Sequence, residues 1–118
     1  MEVIKKNHQF QLIFEKGHSI HGRFLVVYFL RNQCHTNRYG ICVGKKLGSA
    51  VRRNYLKRLL REAVRAVTFP DQGWDMLLVA KKQILYASLN GIIEEIQHII
   101  FKVDFFTLNT KGNKEGSQ

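Results

Sequence analysis

Residues 44–62 read Gly44-Lys45-Lys46-Leu47-Gly48-Ser49-Ala50-Val51-Arg52-Arg53-Asn54-Tyr55-Leu56-Lys57-Arg58-Leu59-Leu60-Arg61-Glu62, which places a basic face and an apolar face on one helix. From Lys45 to Arg65 there are eight Lys/Arg and one acid, Glu62, so these 21 residues hold a net +7 of the chain's +10. With Ala50 to Val67 wound at about 100° per residue, Tyr55, Leu56, Leu59, Leu60, Ala63, Ala66 and Val67 gather in an arc of roughly 140°. That arc is predicted to be buried. Arg53, Asn54, Lys57, Arg58, Arg61 and Arg65 form a second arc opposite, with Asn54 near its middle. Arg52 projects toward the apolar side, but Ser49 is suited to cap the helix, which leaves Arg52 in the first turn and free to swing. A solvated face on an ordinary amphipathic helix is the bland alternative; the single sign of the charge argues against it.

The hydrophobic period changes on both sides of this helix. Upstream, Asn7 to Lys16 suits a short helix with Phe10, Ile13 and Phe14 on one side, stopped by Gly17. Phe24 to Leu30 is a continuous apolar and aromatic run, predicted as a strand between Arg23 and Arg31. Asn32 to Asn37 reads as a polar turn, so Arg38 to Lys45 is predicted as a second strand paired with the first in a hairpin. Downstream, Pro70 and Gly73 punctuate the chain near 69–73. Trp74 to Lys81 is a further strand. Leu89 to Val103 is a second long helix, capped by Ser88 or Asn90, with Ile92, Ile93, Ile96, Ile99, Ile100 and Val103 at helical spacing. From Thr107 onward only Leu108 is apolar, which predicts a mobile tail over 107–118 after a single domain over 1–106. This order predicts an α+β two-layer sandwich, a small, mostly antiparallel sheet with helices on one face and the other face open to a ligand.

The chain's 118 residues suffice for one domain, and 45% hydrophobic residues suffice for a core. A pI near 10 favours a polyanionic partner, nucleic acid or an anionic membrane surface. No apolar run approaches the length of a membrane span, and Met1 to Lys6 lacks a signal-peptide core, so a soluble, cytoplasmic protein is expected. Cys34 and Cys42 have no Cys-x-x-Cys partner and no metal-ligand spacing to the five His residues. Both read as free thiols, with Cys42 the more buried.

The pattern Lys45-Lys46-x-Gly48-x-Ala50-Val51-x-Arg53-Asn54-x-x-Lys57-Arg58-x-x-Arg61-Glu62 resembles the signature of the bacterial ribonuclease P protein component family, whose central Arg-Asn-Arg motif lies on such a helix. Tyr55 stands where the family usually has a basic residue, and Gly44 where a Ser is frequent. Phe10-x-x-x-Phe14-x-x-Gly17, with Tyr28 eleven residues after the Gly, resembles the family's aromatic N-terminal part. The likeness spans roughly residues 5–103. It implies the same two-layer fold with a left-handed βαβ crossover, a hand that nothing in the residues themselves shows. It also implies a protein subunit of an endoribonuclease that removes the 5′ leader of precursor tRNA and broadens substrate range. In such an enzyme the ribonuclease P RNA is catalytic, the assembled particle requires Mg2+, and the protein binds no cofactor alone.

Partners read from the residues are consistent with that implication. Folded RNA displays phosphates and 2′-hydroxyls more accessibly than bases, so a rigid cationic ridge suits it. Lys45, Lys46, Arg52, Arg53, Asn54, Lys57, Arg58, Arg61 and Arg65 are the candidate contacts to the catalytic RNA, Arg as forks on phosphate. Phe10, Phe14 and Tyr28 either fill the core or, as the resemblance implies, line a cleft for the single-stranded leader, where exposed rings stack unpaired bases. Within Phe24 to Leu30, the set Arg23, Leu25, Val27, Phe29 and Arg31 looks the better face for the helical layer. Neither membrane nor DNA is an expected partner. A ribosomal or other structural RNA-binding protein is the alternative; it explains the basic helix and leaves the aromatic positions unexplained.

Catalytic constellations are lacking. Gly40-x-x-x-Gly44-Lys45-Lys46 has the wrong spacing for a P-loop and Lys46 where Ser/Thr is needed. Asp71 and Asp75 are expected in a turn, and Glu94 and Glu95 diverge on a helix, so neither pair suits a metal-dependent nuclease. His8, His18, His21, His35 and His98 have no evident nucleophile or carboxylate partner and are expected at the surface.

Overall fold

The computed structural model describes residues 1–69 and 73–117, with side chains through Val103. The elements are β1 (Glu2–Val3), α1 (Asn7–Lys16), β2 (His18–His21), β3 (Leu25–Arg31), β4 (Arg38–Cys42), α2 (Ala50–Ala66), β5 (Trp74–Ala80) and α3 (Leu89–Ser117), with short 3-10 turns at Lys45–Leu47 and Lys82–Tyr86. The α+β class is as expected, with one five-stranded sheet, ordered β1-β4-β5-β3-β2, and three α-helices, but the sheet is mixed and not mostly antiparallel, since β1–β4 and β4–β5 pair in parallel. Among the described residues no helix is long and apolar enough to cross a membrane. Asp71 and the Pro70 turn lie outside the described residues. The last helix runs past the expected end at Val103, to Ser117. The tail expected over 107–118 falls where side chains are not described.

The expected hairpin of β3 with β4 does not form. β5 lies between them, antiparallel to β3 and parallel to β4. Its sequence is apolar on successive residues, and Trp74 to Leu78 are all buried, so it takes the centre, where both faces are covered. Parallel neighbours need a long crossover, and α2 supplies it. The hairpin that does form joins β2 to β3. β2, His-Ser-Ile-His, is polar and largely exposed, which hides it from a hydrophobicity reading.

Residues 32–37, read as a polar hairpin turn, are instead a strap that, with Arg38 at the start of β4, is stitched to the start of β5. Asn37 Oδ1 accepts from Trp74 N at 2.9 Å. Asn32 Nδ2 donates to Asp75 Oδ1 at 2.7 Å. Arg38 grips the Asp75 carboxylate with both Nε and a terminal nitrogen, at 2.8 and 2.7 Å. Asp75 therefore sits buried in a strand and not in the turn expected of it, its charge matched by a fork of donors. That pair holds the Arg38 guanidinium above its ordinary pKa.

Leu25, Val27 and Phe29, the face favoured from the sequence, join Trp74, Met76 and Leu78 in the main core beneath α2 and α3. Ser49 caps α2 by accepting from Arg52 N, and Ser88 Oγ accepts from Gly91 N at the start of α3. Glu95 of α3 accepts from the backbone N–H groups of Arg23, Phe24 and Leu25, pinning the β2–β3 turn to the helix layer. The opposite face is not wholly open. Ile13 of α1, 1% exposed, packs there with Ile4 and Leu77, so one of the three helices covers part of the face expected to be free.

Candidate nucleic-acid interface

The buried arc of α2 is rotated from the one expected. Leu56, Leu60, Ala63, Val64 and Val67 are buried, and at about 100° per residue they centre near Leu60. Tyr55, at 56% exposure, and Ala66 therefore turn out to solvent. Val64, counted with neither arc in the sequence, turns in. The rotation splits the basic residues into two rows. Asn54, Arg58, Arg61 and Arg65 are exposed, whereas Arg53 and Lys57 are half-buried along the edge of the helix that leans on the sheet. Arg53 Nε is buried with no hydrogen-bond partner. Arg52 is exposed, its stem folded over Gly48, where φ is +132°. Lys45 and Lys46 are exposed on the 3-10 turn before α2, not at the end of a strand.

The inner row meets the second sheet face. Tyr28 pairs with Leu77, Gly40 with Leu77 and Cys42 with Val79, so Tyr28, Gly40 and Cys42 share the side on which α1 packs. Burial pushes the Cys42 thiol up from its ordinary pKa, and the Lys57 ammonium partly offsets this. Lys57 is thus close enough to act on Cys42, and the cationic helix borders the aromatic face. Cys42 is half-buried and Cys34 exposed, both free.

On that face Phe14 and Tyr28 meet edge to face with ring centroids 4.8 Å apart. Phe14 is 40% exposed, and Phe10 and Tyr28 are half-buried. Phe10 lies across Gly40, whose missing side chain makes room for the ring. The three aromatic positions are therefore neighbours on one surface, packed together but reachable from solvent. Gly40 and Cys42 form part of its floor. Sequence reasoning missed both, although a Gly inside a strand signals close approach of another group.

All five histidines are exposed. Among the described residues no three His, Cys, Asp or Glu side chains are grouped to hold a metal ion. The surface is thus cationic along the helix and aromatic on the sheet, a pairing whose chemistry suits phosphates and bases.

The comparisons with known proteins agree in kind. The family model described as Ribonuclease P matches residues 1–104. The Ribonuclease P protein component of Oceanobacillus iheyensis is 38% identical over 103 residues, covering 84% of each chain. Among solved structures, the RNase P protein of Staphylococcus aureus is 36% identical with a TM-score of 0.74, covering 88% of this chain and 95% of that one. That of Thermotoga maritima is 30% identical with a TM-score of 0.75, covering 85% and 96%. With the family model spanning residues 1–104 and the fold and most of the length shared with these proteins, the chain belongs to the ribonuclease P protein component family.

Proposed function

We propose that the chain is the protein subunit of a bacterial ribonuclease P, gripping the catalytic RNA with the cationic side of α2 and the 5′ leader of precursor tRNA on the aromatic sheet face. The observation that carries this reading is that Phe10, Phe14 and Tyr28 gather on one sheet face with Cys42 of β4, the strand from which the chain passes into the basic helix α2. A leader on that face would meet rings below and the row of Arg53 and Lys57 alongside. Arg53 Nε, a buried donor lacking an acceptor, is suited to a phosphate or sugar oxygen there, since an unmet buried donor costs about 1–3 kcal/mol. The outer row, Asn54, Arg58, Arg61 and Arg65, with Lys45, Lys46 and Arg52 beyond it, faces away from the sheet toward the ribozyme. In this reading the RNA subunit holds the magnesium ions and performs the hydrolysis, while the protein supplies binding and screens phosphate repulsion.

The test is precursor-tRNA cleavage by a ribonuclease P RNA across a magnesium titration, with RNA alone, protein alone and both. The protein should shift the magnesium requirement downward and should cleave nothing by itself. Phe14→Ala and Tyr28→Ala should weaken binding of precursor tRNA by the assembled enzyme by about 1–3 kcal/mol each and leave mature tRNA unaffected. Cleavage by nuclease-treated protein alone, or no magnesium shift, would overturn the subunit reading; equal losses for both tRNAs would return the rings to a packing role.

A further inference from the structure

The RNA contacts described above give no role to Tyr55, which the rotated packing of α2 turns into solvent, nor to the pocket beside it. On a helix the neighbours of Tyr55 are the residues three and four away. These are aliphatic Val51 and Leu59 on one diagonal, and Arg52 and Arg58 on the other. The exposed ring borders a pocket of about 520 Å³, walled by Val51, Leu56 and Leu59 of α2 and by Ile84, Leu85 and Ala87 of the turn before α3. That volume lies within the range of about 300–1,000 Å³ common to small-ligand sites. The stem of Arg52 lies over Gly48, which holds the guanidinium near the pocket's rim.

We propose that this pocket receives one unpaired base of the catalytic RNA, stacked on Tyr55, with the flanking phosphates held by Arg52 and Arg58. The proposal rests on the RNA-binding reading above but concerns a face separate from the leader surface. Charge selects the occupant. An apolar protein side chain seated here would shield Arg52 from water with no acid in the pocket wall to match it, whereas an RNA strand brings a phosphate. The acid of this helix, Glu62, stands one turn beyond Arg58 and ten residues from Arg52, about 15 Å along the axis from the latter. Tyr55 also occupies the position where the resemblance leads one to expect a basic residue, so this chain trades a point charge for a stacking plate between two charges.

The experiment measures binding of the full chain to a transcribed ribonuclease P RNA over a range of salt, for wild type, Tyr55→Ala and Tyr55→Phe. Loss of one stacked base should weaken Tyr55→Ala about 5- to 150-fold, with the slope of log K against log salt unchanged because no phosphate contact is removed. Tyr55→Phe keeps the ring and should bind within about two-fold of wild type. Tyr55 is exposed, and an unchanged melting transition in both variants would show that the fold survives. A photo-crosslinking residue at position 55 should label an unpaired nucleotide. Wild-type affinity in Tyr55→Ala, a flattened salt slope, or a loss shared equally by Tyr55→Phe would overturn the stacking site. A crosslink in cell extract that goes to protein and never to RNA would assign the pocket to a protein partner instead. Failure of the wild-type chain itself to bind the RNA would instead strike the RNA-binding reading on which the proposal rests.

Discussion

Gly40→Ala is the sharpest probe of the contact between α1 and the sheet. A Cβ at Gly40 would stand 2.2 Å from Phe10 Cε1 and 3.0 Å from Cζ, where carbon atoms in contact prefer about 3.5–4.0 Å. The ring must therefore retreat by more than about 1 Å, and being half-buried at the helix surface it can do so by swinging outward. Overpacking of this kind costs about 1–3 kcal/mol. Against it stands the gain of replacing a strand glycine by alanine, about 0.5–1 kcal/mol; Gly40 is not among the positive-φ glycines, so alanine fits its backbone. The clash should win, and Gly40→Ala should lower stability by about 0.5–2 kcal/mol. In a Phe10→Ala background the clash is gone and only the gain remains, so the same substitution should become neutral or stabilising. Urea unfolding of the four proteins of this double-mutant cycle measures the coupling directly. An equal cost in both backgrounds would refute the placement of the Phe10 ring on Gly40. In the assembled enzyme, Gly40→Ala should also weaken precursor tRNA selectively, since the displaced ring is one of the proposed leader contacts.

Asp75→Ala should cost about 3 kcal/mol, because it strands a partly buried Arg38, 22% exposed in its side chain, and Asn32 without their shared acceptor; a loss below about 1 kcal/mol in urea unfolding would reduce the pair to the level of a surface ion pair. Alkylation by iodoacetamide should modify exposed Cys34 well before Cys42, whose rate should rise only at higher pH because burial holds its thiol protonated. Removing the neighbouring cation in Lys57→Ala should push the Cys42 pKa higher still and shift its rate profile further toward alkaline pH; an unmoved profile would separate Lys57 from the sheet face.

Several elements were legible because one kind of residue pattern determined them. α1 matches its expected bounds, Asn7 to Lys16, since Phe10, Ile13 and Phe14 repeat at helical spacing before a glycine. Ser49 and Ser88 cap the helices they precede, since a side-chain oxygen there satisfies free backbone donors. Strand order was not legible. Nothing local distinguishes a turn that returns the chain beside itself from a strap that carries it across an intervening strand. The signal for β5 lay in its own composition, apolar on both faces, which demands a central position. A reading that weighed burial of β5 before the polarity of 32–37 would have placed it between β3 and β4.

The basic residues of α2 were readable from the sequence, whereas the orientation of the helix on the sheet was not. An amphipathic helix fixes which residues oppose each other, yet not the rotation at which it settles on a sheet; that depends on which side chains fill the surface beneath it. Here Val64 turns inward and Tyr55 outward, so the centre of packing moves toward Arg53 and Lys57. Those two residues become the hinge between a cationic helix and an aromatic sheet face, which a uniform basic stripe could not provide. A stripe wholly in solvent would bind one polyanion along one line. Two rows on either side of an edge, one leaning on the sheet and one facing away, offer two lines of positive charge, and under the function proposed above one would follow the ribozyme and the other its substrate.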